Sequence, residues 1–597
     1  MVGVEVQNTW RAQVGLCLLH SIASGVAARA PPPPPPSPQL SLPSGARPSW
    51  RLSLPAFLSW ALSFASMEGA AGPGGASSPS PSPAGLVLGV DVGSTVLRCH
   101  VYDAAAALKG SSAKPVEVLR PQPGWVELNP DSLWTLFVDV VKEAVQVAGI
   151  QMHQIAALGL STQRSTFITW NKKTGKPFHN FISWQDVRAG ELTKIWNRSF
   201  LMKTVRGISS LLHFFTRSSQ FLLASYLSFT TQHISLRLAW ILQHITEVEQ
   251  AIKEDNCCFG TIDTWLLYKL TKGSVYATEY SNASSTGFFD PTKMQWSMFL
   301  SKLLSIPVSI FPPVQDTSHN FGSVDAEIFG APIKITALVA DQQAAMFGEC
   351  CFDVGDLKVT MGTGSFWDVN TGSKVHTSRK GLYPLVGWKI GKEVIYLAEG
   401  NASDTGNAIK WAQSLDLFTS ADETSKMAHS LVNSGGVCFV PSFSGLQIPV
   451  NDPYACTSFM GITPSTTKNH LVRAMLESIA FRNKQLYDTI TRDVGIEPTS
   501  IRADGGVSKN NFVMQMTSDL TNKTISRPAS TDMSCLGAAF LAGLAVGFWN
   551  DKEQLKKLIR PDMVFKPQKE PEEYEPAMSN WIKAVQRSLS WYSQTSP

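Results

Sequence analysis

The chain has 597 residues, 44% of them apolar and 16% charged, which is too long for one compact core and too hydrophobic for a disordered polypeptide. Its 51 Lys and Arg against 47 Asp and Glu leave a net charge of +4 without dense basic blocks, which sets nucleic-acid binding aside as the leading function. Nine cysteines form no Cys-x-x-Cys pair, and Cys257 with Cys258 and Cys350 with Cys351 are adjacent, a spacing unsuited to zinc or a disulfide framework, so a reducing, cytoplasmic setting is expected.

Residues 1–85 differ from the rest. They hold 14 of the 36 prolines, including the run Pro31 to Pro36, and only six charged residues, and are expected to be a disordered extension without a core. Val14 to Ala28 has the apolarity of a signal segment, but Glu5 stands where positive charge is needed. Trp50 to Met67 is interrupted by Arg51 and Pro55, which leaves roughly a dozen clean residues where a membrane span needs ~20; no stable membrane span is expected. Met67 is a candidate natural start.

From Leu86 onward, short apolar runs punctuated by glycine alternate with helical stretches, the pattern of an α/β protein. One design occurs twice. Leu86 to Asp91 reads as a buried strand, Val92-Gly93-Ser94-Thr95 as a turn, and Val96 to Asp103 as a returning strand; Asp356 to Met361, Gly362-Thr363-Gly364-Ser365 and Phe366 to Asn370 repeat it. Glycines let such a turn approach an oxyanion closely, and its N–H groups and hydroxyls donate hydrogen bonds, so a facing pair suits a polyphosphate. A third element, Ile501 to Gly506 followed by Ser508 to Asn511 and the amphipathic run Phe512 to Leu520, reads as strand, Gly-Gly and helix start, a further place for an anion or nucleotide.

These three elements, in this order, resemble the two phosphate motifs and the adenosine motif of the sugar-kinase, Hsp70 and actin superfamily. Within it, Ser161 to Arg164, Phe181 to Arg188, Phe259 to Leu266, Ser281 to Ser284, Ala340 to Ala345, Phe439 to Leu446, Gly461 to Glu477 and Leu536 to Leu544 resemble the FGGY carbohydrate kinases of the glycerol kinase branch, over about Leu86 to Lys566. The resemblance implies two actin-like (ribonuclease H-like) α/β domains facing across a nucleotide-binding cleft. They would be a polyol-side domain at 86–345 and a nucleotide-side domain at 346–566, preceded by the 1–85 extension and followed by a polar tail at 567–597 that reads as a closing amphipathic helix. It further implies an ATP- and Mg2+-dependent kinase that phosphorylates a primary hydroxyl of glycerol or a related polyol, with hinge closure expelling water before transfer.

Carried onto this chain, the resemblance makes Asp341 the general base that accepts the substrate hydroxyl's proton, and Asp91 the organiser of Mg2+. An aspartate at either place also reads as a helix N-cap or a turn residue. The resemblance assigns Ser94, Thr95 and Arg98 to the phosphates, with Thr363 and Gly406 opposite them, and Gly506 and Asn510 to the adenosine. Arg164, Trp184, Asp341 and Gln342 belong to the polyol site, and Lys410 stands where the glycerol kinases often carry Gln. The polyol site departs from the pattern: the family's Arg-Glu becomes Arg164-Ser165, and Gln232 replaces a Tyr. A hydrogen bond to a charged group is worth ~1.5–3 kcal/mol, so loss of the Glu weakens glycerol roughly 10- to 100-fold unless Ser165 or a water replaces it. Two other classes stay open: a dormant nucleotide-binding relative with a regulatory or scaffolding role, and an actin- or Hsp70-like ATPase. The Phe- and Leu-rich region 200–228 reads equally as an insertion, a buried helix or an interaction surface, and family members form homo-oligomers.

Overall fold

In a computed structural model the described residues are 85–592. The expectations for residues 1–84 and for the last five residues of the tail lie outside them.

Leu86–Val92, Ile155–Thr162 and Ile335–Ala340 are nearly continuous apolar runs, as strands covered on both faces require, and Val87, Leu88, Val90, Leu158, Leu160, Leu338 and Val339 are fully buried. They are neighbours in a five-stranded sheet ordered Ile335–Ala340, Ile155–Thr162, Leu86–Val92, Val96–Tyr102 and Leu108–Pro115. The first three run parallel, and the last two extend the sheet antiparallel.

A seven-stranded sheet repeats the scheme in the order Tyr383–Ile390, Glu393–Ala402, Ser365–Gly372, Leu357–Met361, Ser500–Asp504, Thr524–Pro528 and Pro561–Phe565. Leu357–Met361 is antiparallel to Ser365–Gly372 and parallel to Ser500–Asp504, as Leu86–Val92 is to its own two neighbours. The two glycine-and-hydroxyl turns therefore occupy equivalent corners of two sheets.

Helices cover the faces. Pro130–Val147 starts at Asn129, whose side chain accepts from the N–H groups of Asp131 and Ser132, and it lays Phe137, Val140, Val141 and Ala144 onto the first sheet. Lys468–Val494 buries Val472, Met475, Leu476 and Ile479 in the core of the second. Within 567–597, Glu575–Ser588 is a helix whose Trp581 is buried and donates from Nε1 to the Phe439 carbonyl at 2.8 Å. Region 200–228 holds two helices, Phe200–Thr216 and Ser219–Ser225, of which the first buries Met202, Val205 and Ser209 and leaves Phe200, Leu211, Phe214 and Phe215 exposed. Among the described residues, no helix is long and apolar enough to cross a membrane.

The two sheets share one core through the helices Asp341–Gly348 and Met533–Ala545. Val87, Ala157 and Val339 of the first sheet and Leu385, Trp388 and Leu397 of the second belong to the same buried cluster as Phe347, Met533, Phe540 and Leu541. The backbones approach closely enough to forbid side chains. A Cβ on Gly537 would lie 1.8 Å from the Ala344 carbonyl oxygen, and one on Gly89 or Gly159 would lie 1.9 Å from the carbonyl oxygens of Cys535 and Ala538. Gly537→Ala must push rigid backbone apart, so it is expected to lower the unfolding free energy by about 2 kcal/mol or more. Urea titration checks this, and an unchanged midpoint would contradict the close approach.

Candidate active site

Asp341 follows the buried strand Ile335–Ala340 and opens the helix Asp341–Gly348. Its carboxylate accepts from the Gln342 N–H at 2.8 Å, and its carbonyl accepts from the Ser534 hydroxyl at 3.1 Å, so the second helix of the shared core fixes it from behind. The preceding N–H, of Ala340, donates to Ser281 Oγ at 2.9 Å. The motif Ser281 to Ser284 thus acts as a bracket: Thr162 Oγ1 donates to Asn282, and the Val386 N–H donates to Ser284 Oγ from the opposite sheet.

Arg164 is the nearest cation, with Nε 3.5 Å from Asp341 Oδ1 and Nη1 2.7 Å from Glu399 Oε2. Burial works against its charge, but Glu399 and Asp341 outweigh it and keep the guanidinium protonated. Burial also raises the Asp341 carboxyl above the ordinary range, against the pull of Arg164. The guanidinium lies over the Phe366 ring at 5.4 Å, and Trp184 meets the same ring edge-on at 6.4 Å. Trp184 and Phe366 come from opposite sides of the site, so Arg164, Trp184, Asp341 and Gln342 are gathered around one place.

Gln342 is turned inward, where its Oε1 accepts from Lys358 Nζ at 2.9 Å. Lys358 has no exposed side-chain surface and lies 3.2 Å from Asp368; burial opposes its charge, but Asp368 and Asp504 more than restore it. Lys358 also donates to Thr360 at 2.6 Å, and Thr360 donates to Asp504, which closes a polar chain from Gln342 to the strand end before Gly505 and Gly506. Asp504 is pushed up to about 6 by burial, against Lys358.

The first turn is held by Gly93 N–H to the Val96 carbonyl (3.2 Å) and by Gln163 Nε2 to the Gly93 carbonyl (3.1 Å), with Ser94 half-buried and Thr95 exposed. Asp91, just before it, accepts from Ser161 Oγ at 2.8 Å and has Arg98 at 3.8 Å. Its carboxyl is pushed up to about 7, first by burial, with Asp341 also raising it and Arg98 opposing. Arg98 reaches across to Asp532 at 3.1 Å, at the start of the Met533–Ala545 helix. In the second turn, the Gly406 N–H donates to the Gly362 carbonyl (3.1 Å), and the Thr405 and Asn407 N–H groups donate to the Thr363 carbonyl (both 3.2 Å). Thr363 remains half-exposed, whereas Ser365 is buried and paired with Thr405 at 2.7 Å. Gly506 is exposed at the start of a short turn, and Asn510 caps the next helix by accepting from the Val513 N–H while donating to Thr424. Lys410 is exposed.

Sequence reasoning passes over several groups that shape this site. Glu399, Lys358 and Asp368 sit on strands as isolated charges, and only the cross-strand register brings Asp368 opposite both Lys358 and Glu399. Arg237 is wholly buried and donates to the carbonyls of Ile182, Ser183, Ser165, Gln232 and His233, clamping the segments that carry Arg164, Trp184 and Gln232. Burial brings Arg237 down to about 9. Ser165 takes the left-handed backbone conformation (φ 57°), and its hydroxyl donates inward to the Ser285 carbonyl at 2.6 Å.

Asp91 supplies a pH test. Its folded carboxyl titrates near 7 against an ordinary 3.8. Between those values the folded chain holds a proton that the unfolded chain has released, so wild-type stability falls as pH rises across this window, by at most about 1.4 kcal/mol per pH unit. Asp91→Asn is expected to gain stability relative to wild type from pH 4 to 7, read by urea unfolding without added metal; a constant difference across that range would contradict the buried charge.

Comparison with known proteins agrees with this geometry. The N-terminal domain profile of the FGGY family of carbohydrate kinases matches residues 86–348, and the C-terminal domain profile matches 357–546. Glycerol kinase 5 of Bos taurus is 69% identical over 85% of this chain and 96% of its own length, and glycerol kinase 2 of Thermotoga maritima is 39% identical over 85% and 99%. The crystal structure of Plasmodium falciparum glycerol kinase with ADP superposes with a TM-score of 0.75 at 32% identity, covering 85% of this chain and 98% of that one. The paired sheets, the doubled turn and these matches together place the chain in the FGGY family of carbohydrate kinases, as a phosphotransferase with an alcohol group as acceptor.

Proposed function

We propose that the chain transfers the γ-phosphate of ATP to a primary hydroxyl of glycerol or a related small polyol, in the cytoplasm. The observation that carries this reading is the Asp341 carboxylate at a helix start, beside a charged Arg164 and within the electrostatic reach of Asp91. In this reading Arg164 orients the acceptor hydroxyl, Trp184 packs on the carbon chain, and Gln342, braced by Lys358, lines the inner wall. Asp341 takes the hydroxyl proton as the oxygen attacks. Burial raises the Asp341 carboxyl above the ordinary carboxylate range, which makes it a stronger proton acceptor than an exposed one.

Ser94, Thr95 and Arg98 serve the phosphates from one side and Thr363 and Gly406 from the other, while Gly506 and Asn510 flank the adenosine. Asp91, a hard oxygen ligand that accepts from Ser161 Oγ and stands just before the first turn, would help hold Mg2+ through water. Mg2+ held there would neutralise phosphate charge. The domain reading, with the acceptor on 86–345 and the nucleotide on 346–566, goes with this assignment.

Glycerol itself is held less firmly than the family pattern implies, because the Ser165 hydroxyl is spent on the Ser285 carbonyl and stands in for no carboxylate. A related polyol that needs no carboxylate at position 165 suits the site better.

With ATP, Mg2+ and a polyol panel, Asp341→Asn is expected to lower kcat by about 10²–10⁴ while ATP still raises the thermal midpoint. Undiminished transfer would overturn the base assignment, and a wild type that binds ATP yet phosphorylates no polyol would favour the dormant relative. Ser165→Glu is expected to lower KM for glycerol by about tenfold, with kcat little changed. A KM that rises or stays level would remove residue 165 from the acceptor site.

A further inference from the structure

The helices Phe200–Thr216 and Ser219–Ser225 form a surface hairpin whose base is pinned: the Asn197 side chain donates to the Phe229 carbonyl at 2.8 Å and accepts from the Phe229 N–H at 2.9 Å. Arg206 Nε donates to the Leu227 carbonyl at 2.8 Å, tying the long helix to the returning chain. Met202, Val205 and Ser209 face inward. On the outward face, Phe200 at the helix start is 67% exposed, and Leu211, Phe214 and Phe215 in its last two turns are 58%, 62% and 72% exposed. An apolar strip held this firmly in water marks a contact surface.

Charge selects its occupant. Between Glu191 and Glu247 the sequence contains no aspartate or glutamate; of its six lysines and arginines Arg237 is buried, and Lys203 and Arg217 lie exposed on the hairpin. Lys203 is exposed on the strip, and the Arg217 guanidinium closes the helix 5.5 Å over the Phe214 ring. A second copy of the chain fits poorly, because a two-fold contact would set these cations against their own duplicates with no carboxylate from the segment between them. A surface of lipid phosphates fits both halves of the pattern, with aromatic and leucine side chains entering the headgroup boundary and the cations remaining at the phosphates. We propose that this hairpin docks the protein peripherally on an anionic lipid bilayer through Phe200, Leu211, Phe214 and Phe215, with Lys203 and Arg217 as the phosphate contacts. The proposal is independent of which polyol is phosphorylated.

Flotation of the full chain with phosphatidylcholine vesicles, with and without phosphatidylserine, tests it. Binding is expected to the phosphatidylserine vesicles, to weaken as salt is raised, and to fall about tenfold or more in F214S/F215S at an unchanged thermal midpoint. K203E/R217E, which leaves the apolar strip intact, is expected to lose the same binding and decides the matter if the first variant is destabilised. No flotation with either vesicle, or binding indifferent to both variants, would overturn the proposal. Self-association of wild type that F214S/F215S abolishes, without vesicle binding, would instead assign the face to a second copy.

Discussion

The close backbone approach of the helices Asp341–Gly348 and Met533–Ala545 is the constraint on which the remainder of the molecule depends. Each helix follows a strand of a different sheet, and the two meet where Gly537 faces Ala344 with no room for a side chain. Because the Met533–Ala545 helix also presses on Gly89 and Gly159, it fixes the central strands of the first sheet, whose ends carry Asp91 and lead to Arg164. Ser534, near its start, holds the Asp341 carbonyl, and Asp532, just before it, holds Arg98. One packing contact therefore sets both the relation of the sheets and the placing of the acidic groups between them.

Those groups form a charged cluster that is largely withdrawn from water. Asp91, Asp341, Asp368, Glu399 and Asp504 are set against Arg98, Arg164 and Lys358 in the same region, with acids in the majority, and burial raises the carboxyls of Asp91, Asp341 and Asp504. In a folding sense this arrangement is costly, since each raised carboxyl weakens the structure at neutral pH. It is the signature expected of a site meant to receive cationic or proton-donating partners.

The sequence discloses those parts of the site whose chemistry demands unusual residues at fixed local spacing. Glycine beside hydroxyls between two strands is such a case, and both turns fall where the pattern sets them, at matching corners of the two sheets. Asp341 and Trp184 are legible through short motifs. Glu399, Lys358 and Asp368 are not, because their pairing exists only in strand register, and a lone charge in an apolar strand gives no hint of a partner from another part of the chain. Arg237 is concealed for another reason: its ligands are backbone carbonyls, which carry no sequence label. Ser365 misleads in the opposite direction, since its hydroxyl belongs to the turn by sequence but is turned inward to Thr405. The apolar composition of 200–228 is plain in the sequence, whereas the direction its aromatic residues face depends on a helix axis set by tertiary contacts.

The tether between Ser534 and Asp341 has a mechanical corollary. If one sheet rotates against the other while the glycine-lined contact stays intact, the pivot must run near that contact, and points beside a pivot travel least. Asp341 sits on this fulcrum, level with the turn at 93–95 at the same end of its sheet, whereas the turn at 362–364 belongs to the other sheet. Motion that opens or shuts the gap would carry each turn with its own sheet and change the distance between them, while the Asp341 backbone kept its place beside Ser534.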